Sequence, residues 1–589
     1  MTLGAGNRQG VALRETTSSD SGSLIAALGH RAGSDAPALT YLDHSDDRDG
    51  VPRTLTWADL YLRVCAVAAT VREVAEPGAR VAILCPQDLS YPVAFFGALA
   101  AGTIAVPLFA PEVGSHADRL TGALADCEAA VWLTGEATLE ATWQLQQHPQ
   151  LREQATVISV DRVDSAAADG FAPPEVEPSA VAYLQYTSGS TRTPAGAEIS
   201  HEAVAANIRQ VVDAFGVDDS WSCVGWLPFF HDMGLVLLAC LPAGVGAHSV
   251  FCTPFDFVRR PLTWLAAMSG RANVITAAPN FAFDYAVDRT KPQDRAQLDL
   301  SGVRVALNGS EPVRPRTVER FLETFAEHGF GVHALRPGYG LAEATVFVSS
   351  TDAAGPKVAS FVRSELAAGR AVSTDGADDD VIELVGAGTP AGQLVRIVDP
   401  LNGALKPDGE VGEIWIHGPN VATGYWRQPE RSLEVFGGVL SGGGNELPDA
   451  GWLRTGDLGM FAEGALFVTG RLKDLIIVDG KNHYPHDIEE TVQEAHPAIR
   501  PGRVAAFGVP TETGEAIVVV LERAPGEEAQ AVEAREISLA VRRAVGRVHD
   551  LKLHDVQVLD GVKVLRTSSG KIARGANRDR YVASVEARV

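Results

Sequence analysis

Lys571 and Glu343 are the charged residues whose surroundings best suit reactions of phosphate groups. Lys571 follows serine and glycine in "RTSSGKI", where a long side chain can reach a carboxylate or a phosphate. Glu343 lies among small residues in "GLAEAT", a setting suited to one Mg²⁺ that bridges triphosphate oxygens. The plain alternatives are a solvated surface lysine and a helix-capping glutamate. Taken alone, each residue fits either interpretation.

A loop rich in hydroxyls and glycine follows the apolar strand "VAYLQY". Backbone N–H groups and small hydroxyls between a strand and a helix commonly surround phosphate oxygens. Apolar residues at helical spacing from Val204 to Phe215, with Ser200 as a cap, predict that helix. An ordinary turn is the alternative, because no G-K-S/T sequence follows and Ala195 stands where a cation would help. The loop residues are Thr187, Ser188, Gly189, Ser190 and Thr191.

Length and composition limit the class of protein. A chain of 589 residues exceeds the roughly 250 to 300 residues that one core holds, so at least two domains are expected. The net charge of −24 argues against a nucleic-acid partner. The six cysteines are widely spaced without a CxxC pair, which predicts a reduced cytoplasmic protein without structural zinc. The uncharged segment Tyr91–Ala110 could span a membrane, yet its prolines and glycines predict a buried helix and strand, so no stable membrane insertion is expected.

Short β-branched segments alternate with helical patterns over most of the chain, as in an α/β protein with parallel sheets. The proline- and acid-rich segment Val163–Pro178 is predicted to separate two subdomains. After about residue 390, closely spaced strands predict a smaller antiparallel unit. Beyond it, "EISLAVRRAVGRV" predicts an amphipathic helix in an α/β tail.

Seven short motifs occur in one order along the chain. They are "YTSGSTRTPAG", "GWLPFFHDMGL", "NGSEP", "GYGLAEAT", "LRTGDLG", "GRLKDLI" and "RTSSGKI". In this order they resemble the adenylate-forming superfamily of acyl-CoA synthetases, peptide-synthetase adenylation domains and luciferases. Ala195, the sequence "GRLKDLIIVDGKNHYPHDIE" and an extra segment, Ser360–Asp380, resemble more narrowly the fatty acyl-AMP ligases.

The resemblance implies the fold and the domains. The fold would be α/β, with a large N-terminal domain of two parallel-type αβ subdomains plus a small β unit, followed by a small mobile C-terminal α+β domain. The domains would comprise residues 1–472 and 473–589, with Lys473 as the hinge. The extra segment, about residues 360–380, would restrain the small domain and disfavour the use of CoA.

The resemblance also implies the roles of individual residues. Lys571 would catalyse adenylation, His231 would lie near the activated carboxylate, and Glu343 would bind Mg²⁺. His231 and Asp232 do not have the spacing of a zinc site or the neighbours of a hydrolase. Asp457 and Arg471 would hold the ribose, and Tyr339 would stack on adenine unless it is a core tyrosine. The remaining ATP- or AMP-binding residues would be the hydroxyl-rich loop with Asn308, Gly309, Ser310, Glu311, Gly340, Leu341, Ala344 and Thr345. The acyl chain would contact Phe230, Met233, Asn280 and Phe281, although such apolar stripes are more often core.

The implied reaction joins a fatty acid to ATP, releases pyrophosphate, and passes the acyl group to the phosphopantetheine thiol of a separate acyl carrier protein. One alternative is a long-chain acyl-CoA synthetase. A second is a non-catalytic homologue that binds acyl groups or nucleotides. The chain departs from the family pattern at Leu565, where proline is usual, which predicts a less rigid lysine loop, and at Gly575, where a second arginine is common.

Overall fold

The computed structural model describes residues 23–111, 117–151, 155–186, 194–377, 379–442, 447–478, 481–511, 514–567 and 570–586. It is an α/β structure with a large N-terminal domain and a small C-terminal domain. The first sheet of the large domain has six strands, parallel except for the last pair. In spatial order they are Thr156–Ser159, Val131–Thr134, Arg80–Ile83, Ile104–Pro107, Val181–Tyr186 and Gly196–Ser200.

A second sheet of nine strands lies beside the first in the large domain. Its six central strands are parallel, and antiparallel strands extend both edges. In spatial order they are Thr389–Pro390, Ser349–Ser350, Leu335–Tyr339, Val303–Gly309, Val274–Pro279, Ser222–Gly225, His248–Phe251, Pro37–Asp43 and Val51–Thr56. Motif residues at the carboxyl ends of these parallel strands therefore meet at one edge.

An antiparallel unit completes the large domain, as predicted. Its strands are Leu394–Val398, Gly412–His417, Gly438–Val439, Ala450–Ala462 and Ala465–Arg471. A separate hairpin is formed by Val358–Val362 and Val381–Val385. The hairpin encloses most of the extra segment and its short helix Arg363–Ala367.

The small domain packs α-helices against a three-stranded sheet. The sheet consists of Ile499–Thr511, Gly514–Arg523 and Leu553–Leu559, and a hairpin of Ile476–Val478 and Lys481–His483 precedes it. Ile537, Val541 and Val545 are buried on one face of Ala534–His549, which confirms the predicted amphipathic helix. The other α-helices of this domain are Pro485–Glu494, Glu527–Ala531 and Arg574–Glu586.

The helices of the large domain cover the faces of its sheets. They are Leu24–Gly29, Trp57–Arg72, Ser90–Ala100, Ala117–Cys127, Leu139–Gln146, His201–Phe215, Asp232–Leu235, Leu241–Val245, Pro254–Arg259, Leu262–Met268, Asn280–Arg289, Pro292–Arg295, Pro315–Phe325, Arg363–Ala367 and Pro429–Phe436. Every residue of Ser90–Ala100 is buried, and the strand Ile104–Pro107 follows it, as predicted. Among the described residues, no helix is long and apolar enough to cross a membrane.

Two expectations about local structure are wrong. Val163–Pro178 does not separate subdomains, because the strands before and after it, Thr156–Ser159 and Val181–Tyr186, belong to the same sheet. The hydroxyl-rich loop does not lead directly into a helix. The strand Gly196–Ser200 intervenes and pairs with Val181–Tyr186, so this loop connects two antiparallel strands. The helix His201–Phe215 does follow, and the Ser200 hydroxyl accepts a hydrogen bond from the Ala203 N–H at 3.1 Å.

Candidate active site

A cavity of about 1850 Å³ lies between the two domains. It brings together residues that are far apart in sequence, among them His231, Glu343, Asp457 and Lys571. The strand ends of the nine-stranded sheet and the antiparallel unit supply one wall, and the small domain supplies the other. The cavity is therefore the candidate active site.

Lys571 reaches this cavity from a tight hairpin. The Thr567 N–H donates to the Lys571 carbonyl at 2.8 Å, and Arg566 pairs with Ile572 across the turn. Burial lowers the pKa of Lys571, and the Arg471 charge lowers it further, whereas Asp232 acts in the opposite direction. Lys571 is partly buried, and the charge of Asp232 only partly offsets the effects that lower its pKa.

The unusual Leu565 is held in place at the base of this hairpin. Its N–H donates to the Asn577 side-chain oxygen at 2.9 Å, and the Asn577 amide donates to the Leu565 carbonyl at 2.9 Å. Asn577 is itself buried. Because proline has no N–H group, the first of these bonds requires a residue other than the usual proline. The expected loss of rigidity is thus offset by a pair of hydrogen bonds.

His231 and Asp232 form a partly buried pair at the start of a helix. Their side chains approach at 2.6 Å, from His231 Nδ1 to Asp232 Oδ1. Burial raises the pKa of Asp232, but the charges of His231 and Lys571 outweigh it and hold the pKa below its usual value. In the described part of the chain, no group of three or more His, Cys, Asp or Glu is arranged to hold a metal ion.

Glu343 lies in a short turn, Ala342–Ala344, on the same wall. The Tyr425 hydroxyl donates to its Oε1 at 2.7 Å, and burial raises the pKa of the carboxyl group. Glu343 is partly buried and lines the interdomain cavity, and a carboxylate in that position fits one Mg²⁺ that keeps most of its waters. Tyr425 was not predicted, because its contact with Glu343 joins residues far apart in sequence.

Asp457 is held by two partners on the antiparallel unit and the nine-stranded sheet. The Tyr339 hydroxyl donates to Asp457 Oδ2 at 2.7 Å, and Arg471 Nε donates to Oδ1 at 3.2 Å. Asp457 and Arg471 are direct partners in paired strands, which fixes their distance. The Asp457 charge raises the pKa of Arg471, so the guanidinium stays charged. The predicted pair therefore exists, and Tyr339 belongs to it through its hydroxyl.

Backbone strain and close packing mark the loops at the carboxyl ends of the strands. Ser310 and Thr345 adopt positive φ angles of 68° and 65°, which are uncommon for non-glycine residues and cluster at functional sites. A Cβ atom on Gly340 would lie 1.7 Å from the Val346 carbonyl oxygen, so only glycine fits there. Thr345 is fully buried, and its hydroxyl donates to the Asn420 carbonyl at 2.8 Å.

The other predicted nucleotide-binding residues lie in different surroundings. Ser310, Glu311, Tyr339, Gly340 and Leu341 line the interdomain cavity. Asn308 and Gly309 line a neighbouring apolar cavity, and Ala344 is buried in a core cluster. The predicted phosphate-loop residues Thr187 to Thr191 lie outside the described residues.

An apolar cavity of about 80 Å³ opens next to Asp232 and Tyr339. Its apolar lining consists of Val211, Met233, Val236, Leu237, Leu241, Ile275, Ala277, Leu307, Val346 and Phe347. Of the four predicted acyl-binding residues, Met233 lines this cavity, whereas Phe230, Asn280 and Phe281 line the larger one. Asn280 is buried and its amide donates to Thr317 at 3.1 Å.

A π-helical turn, Val236–Cys240, forms one side of the apolar cavity. Pro242 has no N–H group, so it cannot bond to the Leu238 carbonyl as a regular helix would. The buried Ser249 hydroxyl donates to that carbonyl instead, at 2.7 Å. Such irregular turns are frequent at functional sites. The sequence signal was Pro242 within an apolar helical pattern.

Comparisons with known proteins agree with this geometry. The family described as AMP-binding enzyme matches residues 29–426, and the family described as Disco-interacting protein 2-like, AMP domain, matches residues 473–585. Two adjacent families thus account for most of the chain.

Similar proteins carry more specific names. Long-chain-fatty-acid–AMP ligase FadD32 of Mycolicibacterium smegmatis is 42% identical, over 96% of this chain and 95% of that protein. Putative fatty-acid–CoA ligase fadD25 of Mycobacterium tuberculosis is 41% identical, over 91% of this chain and 93% of that protein. A structure from studies of fatty acyl-adenylate ligases of E. coli and L. pneumophila superposes with a TM-score of 0.82, at 31% identity and over 96% and 98% of the two chains.

The fold and the cleft define an ATP-dependent ligase of the AMP-binding class. Within that class, the chain belongs to the fatty acyl-AMP ligases.

Proposed function

We propose that this protein activates a fatty acid as its acyl-adenylate and then transfers the acyl group to the phosphopantetheine thiol of a separate acyl carrier protein. The observation that carries the proposal is that Lys571 lines the interdomain cavity, where the charges of Asp232 and Arg471 act on it. The apolar cavity that opens beside Asp232 supports a fatty acyl substrate.

In the first step, a carboxylate oxygen of the fatty acid attacks the α-phosphorus of ATP, and the bond to pyrophosphate breaks. Two anions must approach each other, so the site has to neutralise and align them. Lys571 would contact both, and the Asp457–Arg471 pair, which also lines the cavity, would hold the ribose. Mg²⁺ bound by Glu343 would supply positive charge to the phosphates.

In the second step, the carrier thiol attacks the acyl carbonyl and AMP leaves. We propose that the small domain, residues 473–589, rotates about Lys473 to admit the thiol. Lys473 lies in the short turn Leu472–Asp474 between the antiparallel unit and the small domain, a position suited to a hinge. Burial lowers the pKa of the Lys473 ammonium, and the charge of Arg471 lowers it further. A rotation of the small domain would therefore change this pKa.

Among the described residues, the extra segment forms two ion pairs with the small domain. Arg363 donates to the Asp487 carboxylate, and Asp379 lies 3.4 Å from Arg547. Both contacts join the large domain to the small one, so they stabilise the arrangement that brings Lys571 into the cavity. They support the expectation that this segment restrains the small domain.

The assigned mechanism is tested by Lys571→Ala. We expect fatty-acid-dependent pyrophosphate release to fall by at least a hundredfold, because a charge that meets the reacting groups is lost. Lys563→Ala is the matched control, since Lys563 is an exposed lysine of the same domain. Equal rates for the two variants would rule out the mechanism.

An acyl-CoA synthetase is the second candidate, because fadD25 has a CoA-ligase name. Incubation with ATP, a C12 fatty acid and either CoA or a holo carrier protein separates the two. We expect acyl-carrier protein to form and acyl-CoA to stay near background. Efficient acyl-CoA formation would favour the synthetase. A non-catalytic homologue is disfavoured because Lys571 and Glu343 are both present and line the cavity.

A further inference from the structure

Three arginines of the small domain face the interdomain cavity beyond Lys571. Arg566 begins the lysine hairpin, and Arg500 and Arg503 lie at the irregular start of the strand Ile499–Thr511. All three line the cavity. The Arg566 guanidinium lies 5.7 Å from the centre of the Phe281 ring on the opposite wall. Arg566 therefore reaches across the gap between the two domains.

This cluster has too few carboxylates to balance its charge. Glu522 Oε2 accepts from Arg500 at 3.0 Å, but Glu522 Oε1 already accepts the Val564 N–H at 2.8 Å. The buried Nε of Arg566 has no hydrogen-bond partner among the described residues. A buried donor without a partner is costly, so this group points to a ligand.

Arg574 in the same cavity shows the opposite arrangement. It donates to both Glu489 oxygens and to Asp474. Burial lowers the pKa of Arg574, but these carboxylates outweigh it and raise the pKa overall. Burial and the charges of Arg503 and Arg500 instead lower the pKa of Arg566 to about 10, despite the opposing charge of Glu311. Arg574 is a structural cation, whereas the Arg566 cluster carries unbalanced positive charge.

We propose that Arg500, Arg503 and Arg566 form a phosphate-binding subsite on the small-domain wall of the cavity. The guanidinium fork matches phosphate oxygens and stays charged when half-buried. The inference rests on the proposed function for its ligands. That reaction brings two kinds of phosphate to the cavity. The first is the polyphosphate of ATP, which leaves as pyrophosphate, and the second is the phosphodiester of the pantetheine arm.

The test measures binding to the full-length protein by calorimetry, with inorganic pyrophosphate and 4′-phosphopantetheine as separate probes. Arg503→Gln and Arg566→Gln are compared with Arg535→Gln, which removes an exposed arginine of the small-domain helix Ala534–His549. Loss of one charged contact is expected to raise the Kd of the bound probe about tenfold. The control variant should keep the wild-type Kd.

The two probes identify the source of the phosphate. A rise in Kd for pyrophosphate supports the subsite and assigns it to the polyphosphate, and a rise for phosphopantetheine assigns it to the carrier arm. Kd values within twofold of wild type for both probes, or no binding of either probe by the wild type, would overturn the proposal. Arg503 is only partly buried, so its variant tests the idea even if Arg566→Gln unfolds. Binding needs neither fatty acid nor turnover, so a failure here leaves the proposed acyl transfer untouched.

Discussion

Removal of the Arg363 side chain should release the small domain from its closed position. Arg363 belongs to the extra segment of the large domain and donates both to Asp487 of the small domain and to the Val381 carbonyl. The Arg363 and Asp487 side chains are only 16% and 12% exposed. Solvent therefore screens the pair weakly, and Arg363→Ala would leave the Asp487 carboxylate buried with His549, 3.6 Å away, as its remaining partner.

The size of the effect follows from this burial. Loss of a hydrogen bond between charged groups costs about 1.5 to 3 kcal/mol. In the proposed rotation this pair breaks when the small domain moves away, so about 2 kcal/mol is lost from the closed state alone. That shifts the ratio of open to closed molecules about thirtyfold.

The assay is single-molecule fluorescence transfer between dyes on the two domains, attached at Asp213→Cys and Arg543→Cys. All six native cysteines are buried, so the introduced thiols should react first. Arg370→Ala is the matched control, because Arg370 pairs with Glu365 within the extra segment, where the side chains are 58% and 37% exposed. Such exposed pairs contribute at most about 1 kcal/mol. An open fraction in Arg363→Ala no larger than in Arg370→Ala would refute the reasoning.

Two further predictions concern packing and pH. In Gly234→Ala the new Cβ would lie 2.1 Å from the Pro228 carbonyl oxygen, so the turn that carries His231 must shift. We expect a loss of about 2 kcal/mol in unfolding free energy and slower pyrophosphate release. Gly33→Ala is the control, because the space around Gly33 is open, and it should be neutral in both assays. Burial lowers the pKa of His549 from 6.5 to about 4. The folded state therefore favours the neutral imidazole. This preference adds to the free energy of unfolding above pH 6.5 and is lost as the pH falls towards 4, by about 2 kcal/mol at pH 5. Urea unfolding at pH 7 and pH 5 should show that His549→Gln loses less stability than wild type, and an equal loss would contradict the assignment.

Local patterns in the sequence predicted the elements, but not every connection between them. The helix His201–Phe215 and its Ser200 cap follow from spacing and residue type, and both were predicted. The strand Gly196–Ser200 was missed because five residues carry little periodicity, and pairing with Val181–Tyr186 decides their conformation. Val163–Pro178 has the composition of a linker, yet the adjacent strands join one sheet.

The same limit applies to the site. Motifs predicted that Asp457 and Arg471 would act together, and strand register explains why they meet. No motif predicted the Tyr425 contact with Glu343 or the Arg363 contact with Asp487, because each joins segments that are distant in sequence. Such contacts depend on how whole sheets and domains pack, which residue spacing does not encode.

The burial of Lys571 links the chemistry to the position of the small domain. Burying an ammonium is unfavourable unless anions surround it, and the lowered pKa of Lys571 shows that Asp232 only partly compensates. The carboxylate of the fatty acid and the phosphates of ATP would supply the missing negative charge. Substrates should therefore favour the closed arrangement, and loss of pyrophosphate should weaken it. The charge that we propose to catalyse adenylation would thus also determine when the small domain opens for the carrier thiol.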